Sequence, residues 1–416
     1  MSEDINKLGR EEKKKRLRQK IVHNQELDDN EQLTRKLKSH KRKNFILLIS
    51  GIFLCLVISL GIYIYDDNRR YKTYSVLWEQ SVEGYLGMDY ITFGSNVLQY
   101  SKDGASYVDE SGKVQWSITY NMNRPIVKTQ GDFVVIADQK GKSFIICSVE
   151  NGQEGSATTS YAISKVAIAN QGVVAVVSED KDVSYIDYYK KNGDKLDISK
   201  KSPLTEGYPL DIALSPNGYE LIASYLYVDS GIMRNKVLFY NFGPNGQEVE
   251  DRLVGSFGKY AETDTIIPKV EFLTNELSVA FGDNLLSFYS TKNEREPALL
   301  KEVSFERQVA SVFCNDTYIG IVFDKTDEYP NQTMVVYTSS GNVVLEKDID
   351  FAYKNIFFTN GFVVLYNANS CVIYDFDGDI RYNNSFDSGI TTLLGVPEKR
   401  EFALVTGDKL LRIKLK

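Results

Sequence analysis

The sequence predicts an all-β protein: an eight-bladed β-propeller preceded by one transmembrane α-helix and a basic cytosolic tail. Three observations carry this prediction. They are an uncharged apolar segment near the N-terminus, short strand-like runs bounded by glycine turns over the rest of the chain, and a repeat in those runs. The 416 residues are 43% hydrophobic and 25% charged, a globular composition that excludes a disordered or collagen-like chain.

The basic tail comes first, over residues 1–44. Residues 1–43 contain 14 Lys and Arg against 8 Asp and Glu, whereas the remainder contains 35 against 48. The tail lacks a continuous apolar stripe, so we expect a solvated, partly helical or disordered segment that contacts anionic lipid. A docking site for a cytoplasmic partner is the alternative interpretation.

The second element is a membrane-spanning helix over residues 45–65. This segment has 21 residues without a charge. At about 1.5 Å per residue it would be about 31 Å long, which matches a hydrocarbon core of about 30 Å. The residues predicted to contact lipid are Phe45, Leu48, Ile52, Leu56, Leu60 and Tyr65.

Basic residues beside this segment predict its orientation. Lys41, Arg42 and Lys43 directly precede it, and positive charge favours the cytoplasmic side. We therefore expect a single-pass protein of the cell membrane, with a cytoplasmic N-terminus, a linker over 66–73 and an extracytoplasmic C-terminal domain over 74–416. A cleaved secretory signal is the alternative, but the preceding segment is long and no small-residue cleavage site lies near Asp66.

The C-terminal domain is built from repeats. Runs rich in Val, Ile, Tyr and Phe alternate with a period of two and are separated by turn pairs such as Asn151-Gly152. The spacing of equivalent first strands is 35 to 58 residues, close to that of four-stranded propeller blades. The longest spacing contains an extra loop around Tyr227–Asn235 and Gly255–Thr265. The eight first-strand markers are Ile91, Ile126, Val166, Ile212, Val270, Val312, Ile356 and Leu393.

The last repeat has only three strand-like runs, and the missing fourth is supplied by the N-terminal strand 74–80. Pairing this strand with the last blade closes the ring and removes both open edges. Seven blades, or an array of β-sandwiches, are the alternatives.

Histidine is confined to the basic tail. Both histidines, His23 and His40, precede the apolar segment. A Ser-His-Asp or Cys-His nucleophile and a His-ligated zinc need a ring that the C-terminal domain lacks. Mechanisms based on carboxylates alone, on lysine or on tyrosine remain open, but no catalytic motif is present. The sequence predicts no catalytic residue, no cofactor, no cofactor-binding residue and no metal ligand, and we expect a protein that is not an enzyme.

The four cysteines do not suggest a disulfide framework. Cys55 lies in the apolar segment, whereas Cys147, Cys314 and Cys371 lie in strand-like apolar runs. Free thiols in such runs behave as small hydrophobic side chains, so we expect these three to be buried and unpaired. A disulfide or a reactive thiol is the alternative.

One acidic motif resembles the start of a calcium-binding loop. Asp375, Asp377 and Asp379 alternate around Gly378, but no bidentate Glu follows about seven residues later. We interpret the motif as a hairpin turn, because other blades have turns at this position.

Two motifs resemble known propeller repeats. Residues 108–116, Val-Asp-Glu-Ser-Gly-Lys-Val-Gln-Trp, are similar to the signature of quinoprotein-type (PQQ-like) propellers. Residues 214–221 resemble the Ser-Pro-x-Gly turn of WD40-like propellers. The overall plan is also similar to uncharacterised single-pass, membrane-anchored propeller proteins of Gram-positive bacteria. The resemblance implies the fold, and no quinone or calcium site is carried over with it.

The functional prediction follows from this architecture. We expect a non-catalytic protein-interaction scaffold or ligand sensor at the cell envelope, with the lipid bilayer and an envelope protein or cell-wall glycan as partners. The acidic C-terminal domain argues against nucleic acid. A carboxylate-based hydrolase or lyase acting on envelope glycans is the alternative function.

Overall fold

The computed structural model describes residues 2–67, 69–82, 87–203, 206–258, 260 and 264–416; within the helix, side chains are described at 9–23, 34–35 and 38–61. The chain divides into two compact units, Met1–Arg69 and Arg70–Lys416.

The first unit is one long helix, α1, which runs from Ser2 to Asp67. The tail belongs to this helix, although the sequence predicts only a partly helical or disordered segment there. A physical reason is that the tail contains no proline and many strong helix formers. Within α1, Lys38–Gly61 is long and apolar enough to cross a membrane.

The side chains predicted to contact lipid are exposed where they are described. Their exposed fractions are 64% for Phe45, 60% for Leu48, 54% for Ile52, 63% for Leu56 and 58% for Leu60. The side chain of Tyr65 lies outside the described residues. A row of exposed large apolar side chains is typical of a surface that is covered by lipid or by another protein.

The second unit is built entirely from four-stranded antiparallel sheets, here called blades and numbered along the chain. Blades 1 to 4 contain β2 (Asp89–Phe93), β3 (Asn96–Tyr100), β4 (Gly104–Val108) and β5 (Val114–Thr119); β6 (Pro125–Gln130), β7 (Phe133–Asp138), β8 (Ser143–Ser148) and β9 (Gly152–Thr158); β10 (Ala162–Ile168), β11 (Val174–Asp180), β12 (Val183–Tyr189) and β13 (Lys195–Pro203); and β14 (Tyr208–Leu214), β15 (Glu220–Asp229), β16 (Ile232–Asn241) and β17 (Leu253–Phe257). Blades 5 to 8 contain β18 (Lys269–Phe272), β19 (Leu277–Phe281), β20 (Leu285–Ser290) and β21 (Ala298–Ser304); β22 (Val309–Cys314), β23 (Tyr318–Phe323), β24 (Gln332–Thr338) and β25 (Val343–Ile349); β26 (Asn355–Thr359), β27 (Phe362–Tyr366), β28 (Ser370–Asp375) and β29 (Ile380–Ser385); and β30 (Thr392–Gly395), β31 (Glu401–Val405), β32 (Lys409–Leu415) and β1 (Tyr74–Ser81).

The described strands form eight blades, which confirms the eight-bladed propeller and makes the seven-bladed and sandwich alternatives wrong. Each of the eight sequence markers lies in the first strand of its blade. The first strands of neighbouring blades contact one another, as β10 does with β6 and β14. The first strands therefore surround a central channel.

The last blade is completed by the N-terminal strand. β1 pairs antiparallel with β32, from Tyr74 opposite Leu415 to Ser81 opposite Lys409. The backbone N–H of Lys416 also donates to the carbonyl oxygen of Thr73, at 2.8 Å. The start and the end of the propeller chain thus share one sheet, and the ring has no unpaired gap at this blade.

Apolar side chains pack between adjacent blades. In one cluster, Ile222 and Phe239 of blade 4 pack with Val270 and Tyr289 of blade 5. All four are at most 1% exposed. Each strand presents side chains alternately to the two neighbouring blades, which explains the period of two in the sequence.

Two tryptophans join neighbouring blades at the signature turns. Trp116 on β5 donates its Nε1–H to the carbonyl oxygen of Val149 in blade 2, at 3.1 Å. Its ring covers Gly152, whose φ of 70° favours glycine and where a Cβ atom would lie 3.1 Å from the ring. Trp78 on β1 makes the same bond to Glu110 of blade 1, at 2.6 Å.

The alternation of strand direction defines two faces of the propeller. β1 occupies the fourth position of its blade, so it begins on the side that carries the turns between first and second and between third and fourth strands. We call this side the N-terminal face. The opposite face carries the hairpins between second and third strands and the connections between blades.

The long repeat in blade 4 differs from the loop that the sequence predicts. Residues 227–235 are not a loop, because β15 and β16 continue through them and pair as far as Asp229 opposite Ile232. The physical reason is that strand-forming side chains alternate on both sides of a Ser230-Gly231 turn, which supports a longer hairpin. This hairpin extends from the opposite face. Residues 259 and 261–263 of the second expected loop lie outside the described residues.

Candidate functional site

The central channel contains a cavity of about 960 Å³. Its lining comes mainly from the first strands of blades 1, 7 and 8, which are β2, β26 and β30. Thr129 of β6 and Cys314 of β22 also line it. The cavity therefore follows the propeller axis.

The wall formed by blades 7, 8 and 1 is mostly uncharged. Ile91, Thr92, Phe357 and Leu393 contribute to it. Charged lining residues occur where β2 and β26 begin, at Asp89 and at Lys354, which directly precedes Asn355. Both strands begin on the opposite face, so the charges lie at that end of the channel.

The wall formed by blades 2 to 5 carries charged side chains within the first strands. These are Lys128 on β6, Lys165 on β10, Asp211 on β14, and Lys269 and Glu271 on β18. Lys128 is exposed, and the other four are partly buried. Since first strands are innermost, the exposure of residues in the middle of these strands is exposure to the channel. We call these five residues the channel cluster.

Asp211 is the most constrained member of the channel cluster. Its Oδ2 accepts a hydrogen bond from the backbone N–H of Val270 in the next blade, at 3.0 Å. Burial raises the pKa of Asp211, while that hydrogen bond and the positive charges of Lys128 and Lys165 act in the opposite direction. Asp211 therefore lies within electrostatic reach of both lysines.

Lys269 and Glu271 form an ion pair on β18. Lys269 Nζ lies 3.5 Å from Glu271 Oε1, and residues two apart on a strand share a face. Burial lowers the pKa of Lys269, but Cys314, Glu271 and Asp211 raise it by more, so the net shift is upward. Lys269 is therefore charged at neutral pH, with Glu271 as its ion-pair partner.

Lys128 and Lys165 are different, because no ion pair or hydrogen bond within the described part of the chain holds either ammonium group. The channel cluster has more lysines than carboxylates. Its paired members neutralise each other, and Asp211 faces both remaining lysines. An excess of positive charge follows in a domain that is acidic as a whole.

The channel cluster was not predicted from the sequence. No site residue was assigned in this region, although each charge interrupts an apolar run, as in Ala162–Ile168, which reads AISKVAI. A charged residue in the middle of a buried first strand was the available signal.

Cysteines follow the prediction with one exception. The four cysteines are free, and Cys147 and Cys371 are buried. Cys314 is only partly buried because it lies on the channel wall. Burial nevertheless raises its pKa to about 11, so it is a neutral thiol at physiological pH.

The calcium-like motif forms a hairpin turn. Asp375 Oδ1 accepts hydrogen bonds from the backbone N–H groups of Asp377 and Asp379, at 3.1 and 2.8 Å. Its Oδ2 accepts from Nε of Arg381, at 2.5 Å. Among the residues searched, those that the structure describes, no group of three or more His, Cys, Asp or Glu is placed to hold a metal ion.

A second candidate surface is the tip of the β15–β16 hairpin. Val228, Ile232 and Met233 are 67%, 49% and 61% exposed. Val228 pairs with Met233 across the hairpin, so their side chains share a face. An apolar tip on a projecting hairpin is typical of a contact surface for another molecule.

A family comparison matches nearly the whole propeller. The family described as "Family of unknown function (DUF5711)" matches residues 67–415. The chain belongs to this family. No curated protein matches the sequence of this DUF5711 member.

Solved structures share its fold. BamB from Moraxella catarrhalis is 9% identical, with a TM-score of 0.52 over 82% of this chain and 100% of that chain. Sqt1 from Chaetomium thermophilum is 10% identical, with a TM-score of 0.52 over 84% of this chain and 96% of that chain. In another structure with a TM-score of 0.50, 9% identity, and coverage of 83% and 96%, Sqt1 is bound to the N-terminus of the ribosomal protein L10. At such low identity, these similarities show the propeller fold.

Proposed function

We propose that this protein is a membrane-anchored, extracytoplasmic binding module at the cell envelope, acting as a scaffold or ligand sensor without catalysing a reaction. One observation carries the proposal: a single chain joins an apolar helix with exposed side chains to a closed propeller. Such a helix gains stability in lipid, and a rigid ring presents loops to partners.

The orientation of the anchor follows the charge next to it. Lys41, Arg42 and Lys43 precede the apolar segment within α1, and positive residues favour the cytoplasmic side. The tail is then cytoplasmic, and the propeller is on the far side of the cell membrane.

The opposite face is the surface we assign to a protein partner. The projecting hairpin places Val228, Ile232 and Met233 there, away from the face on which β1 begins. Sqt1, which shares the fold, was solved with a protein segment bound, so a partner of this class suits a propeller. Cell-wall glycan is the other partner class in the proposal.

Site-specific photo-cross-linking in intact cells tests this function. A photoreactive residue would replace Met233, and the matched control would replace Val343, which is 53% exposed on β25 at the N-terminal face. We expect cross-links from position 233 to a small set of envelope proteins or to wall glycan. Products no different from those of an anchor-only chain at both positions would contradict the proposal.

One specific observation favours the alternative function, a carboxylate-based hydrolase. Asp211 and Glu271 are two carboxylates of the channel cluster, and the charge of Glu271 contributes to the raised pKa of Asp211. An acid with a raised pKa beside a second carboxylate is the arrangement that glycosidases use. Release of sugar from wall glycan that disappears in both Asp211→Asn and Glu271→Gln would establish this alternative.

A further inference from the structure

We infer that the central channel binds a small anionic ligand, carrying a carboxylate or phosphate group, through the ammonium groups of Lys128 and Lys165. This inference rests on the proposed binding function and names a ligand class for one of its sites.

Both lysines lie on strands that surround the channel. Lys128 and Lys165 lie within the first strands β6 and β10, which contact each other beside the axis. Lys128 is exposed although its strand is the innermost of its blade. A lysine at such a place extends into the channel, because both sheet faces are covered by neighbouring blades.

The carboxylates of the channel cluster leave Lys128 and Lys165 without an ion-pair partner among the described residues. Glu271 is occupied by Lys269 at 3.5 Å, and Asp211 is held by the backbone N–H of Val270 at 3.0 Å. Within the described residues, neither Lys128 nor Lys165 has a carboxylate oxygen in ion-pair contact. Asp211 is the carboxylate that faces both lysines, and it already accepts a hydrogen bond. Positive charge therefore remains for a ligand to neutralise.

A cavity of small-molecule size reaches the strand that carries Lys128. Thr129 follows Lys128 on β6 and lines the cavity of about 960 Å³, within the range of small-molecule pockets, about 300–1,000 Å³. Cys314 also lines the cavity, and its pKa responds to the charges of Lys128, Lys269 and Glu271. The cavity thus reaches β6 at Thr129, the residue next to Lys128, although Lys128 and Lys165 are not themselves among the residues that line it.

The uncharged wall restricts the rest of the ligand. Ile91, Phe357 and Leu393 supply apolar contact across the cavity, and the two charged lining residues, Asp89 and Lys354, are of opposite sign. The ligand is thus an anion with one charged end and a neutral body. The protein walls of the channel concentrate the field of the lysines and strengthen their attraction for an anion.

Binding to the full-length protein in non-ionic detergent tests the inference. The probes for calorimetry are N-acetylmuramic acid and N-acetylglucosamine, which differ by a carboxylate-bearing lactyl group, together with inorganic phosphate and glucose 6-phosphate. We expect an anion to bind and its neutral counterpart not to bind. The sugar acid and the phosphates distinguish the two sources of negative charge.

Three variants assign the site. K128Q/K165Q should weaken anion binding at least tenfold, whereas K325Q, a change in an exposed loop, should leave it unchanged. D211N removes the competing carboxylate and should tighten binding several-fold, an effect that a misfolded variant would not give.

Two results would overturn the inference: no binding of any anionic probe by the wild type, or equal binding by the wild type and K128Q/K165Q. Cross-linking from position 233 provides a separate readout. If it persists while anion binding fails, the ligand class is wrong and the binding function stands; if it alone fails, the partner surface is wrong.

Discussion

Trp116 is a single side chain that belongs to one blade and completes the next. Besides its bond to Val149, its ring stacks on Tyr107 at 5.9 Å and meets Phe93 edge-on at 6.4 Å. We expect Trp116→Ala to lower the free energy of unfolding by about 2–3 kcal/mol, because packing and a hydrogen bond are both lost.

Trp116→Phe is the matched control for this prediction. It keeps most of the ring contact and removes the N–H donor, so its cost should be about 1 kcal/mol. Denaturant unfolding of the propeller measures both values. Equal stability of the alanine variant and the wild type would show that this contact between blades does not contribute.

Arg412 provides a test of buried charge at the junction of the last and first blades. Its side chain is 4% exposed, and its Nε donates to Glu401 Oε2 at 3.0 Å. Its NH1 group reaches Asn96 of blade 1, at 3.3 Å. The same guanidinium also pairs with Glu398. We expect Glu401→Gln to destabilise the fold by about 1–3 kcal/mol, because a buried guanidinium loses one of its two carboxylate partners.

A pH series checks the sign of this effect. Burial raises the pKa of Glu401, but Lys414 and Arg412 lower it by more, so it lies below its ordinary value of 4.5. The stabilisation is therefore full above about pH 4.5 and is lost as the pH falls through the folded value. The wild-type advantage over Glu401→Gln should shrink in that window.

A surface ion pair in the same blade is the control. Glu79 and Lys409 lie 3.3 Å apart, with side chains 57% and 42% exposed. Glu79→Gln should change stability by less than about 1 kcal/mol, because an exposed pair is screened by solvent. A cost for Glu79→Gln as large as for Glu401→Gln would contradict the assigned role of burial.

At the scale of elements, β1 determines whether the ring is closed. Residues 70–416 keep the closing strand, whereas residues 82–416 lack it and leave the edge of β32 unpaired. We expect the longer chain to be monomeric with one cooperative unfolding transition, and the shorter one to melt at a lower temperature and associate. Thermal unfolding and light scattering measure this, and identical behaviour of both chains would refute it.

The strands were predictable from the sequence because their signals are local. The apolar run at Phe133–Asp138 and the turn at Asn151-Gly152 are signals of a few residues each, so strands and hairpin turns could be placed. The hairpin of blade 4 was predicted as a loop because strand length depends on pairing across the turn. Sequence alone does not measure that pairing.

The channel cluster could not be assembled from the sequence for a different reason. Lys128 and Asp211 are 83 positions apart in the chain, and the rotation of successive blades around one axis brings them within electrostatic reach of each other. The hydrogen bond from Lys301 Nζ to the carbonyl oxygen of Gly341, at 2.6 Å, likewise joins residues that are far apart in the sequence. It joins blades 5 and 6 where no tryptophan is present.

Across the whole molecule, the tail and the rest of the chain carry opposite charge. Residues 1–43 have 14 Lys and Arg against 8 Asp and Glu, and the rest have 35 against 48. This distribution suits a chain whose basic tail meets anionic lipid and whose propeller remains soluble beyond the membrane. The positive excess in the channel is an exception inside the acidic unit, and it is where we place an anion.

We propose that one helix holds the propeller outside the cell membrane. Labelling with a membrane-impermeant maleimide tests it most directly, using full-length chains that carry Cys55→Ser and Cys314→Ser and one new cysteine. The remaining native thiols, Cys147 and Cys371, are buried. The new cysteine replaces Met233 on the propeller or Lys15 in the tail.

The account predicts that Met233→Cys is labelled in intact cells and that Lys15→Cys is labelled only after the membrane is permeabilised, with both chains in the membrane fraction. The reverse labelling pattern, or recovery of either chain in the soluble fraction, would contradict it.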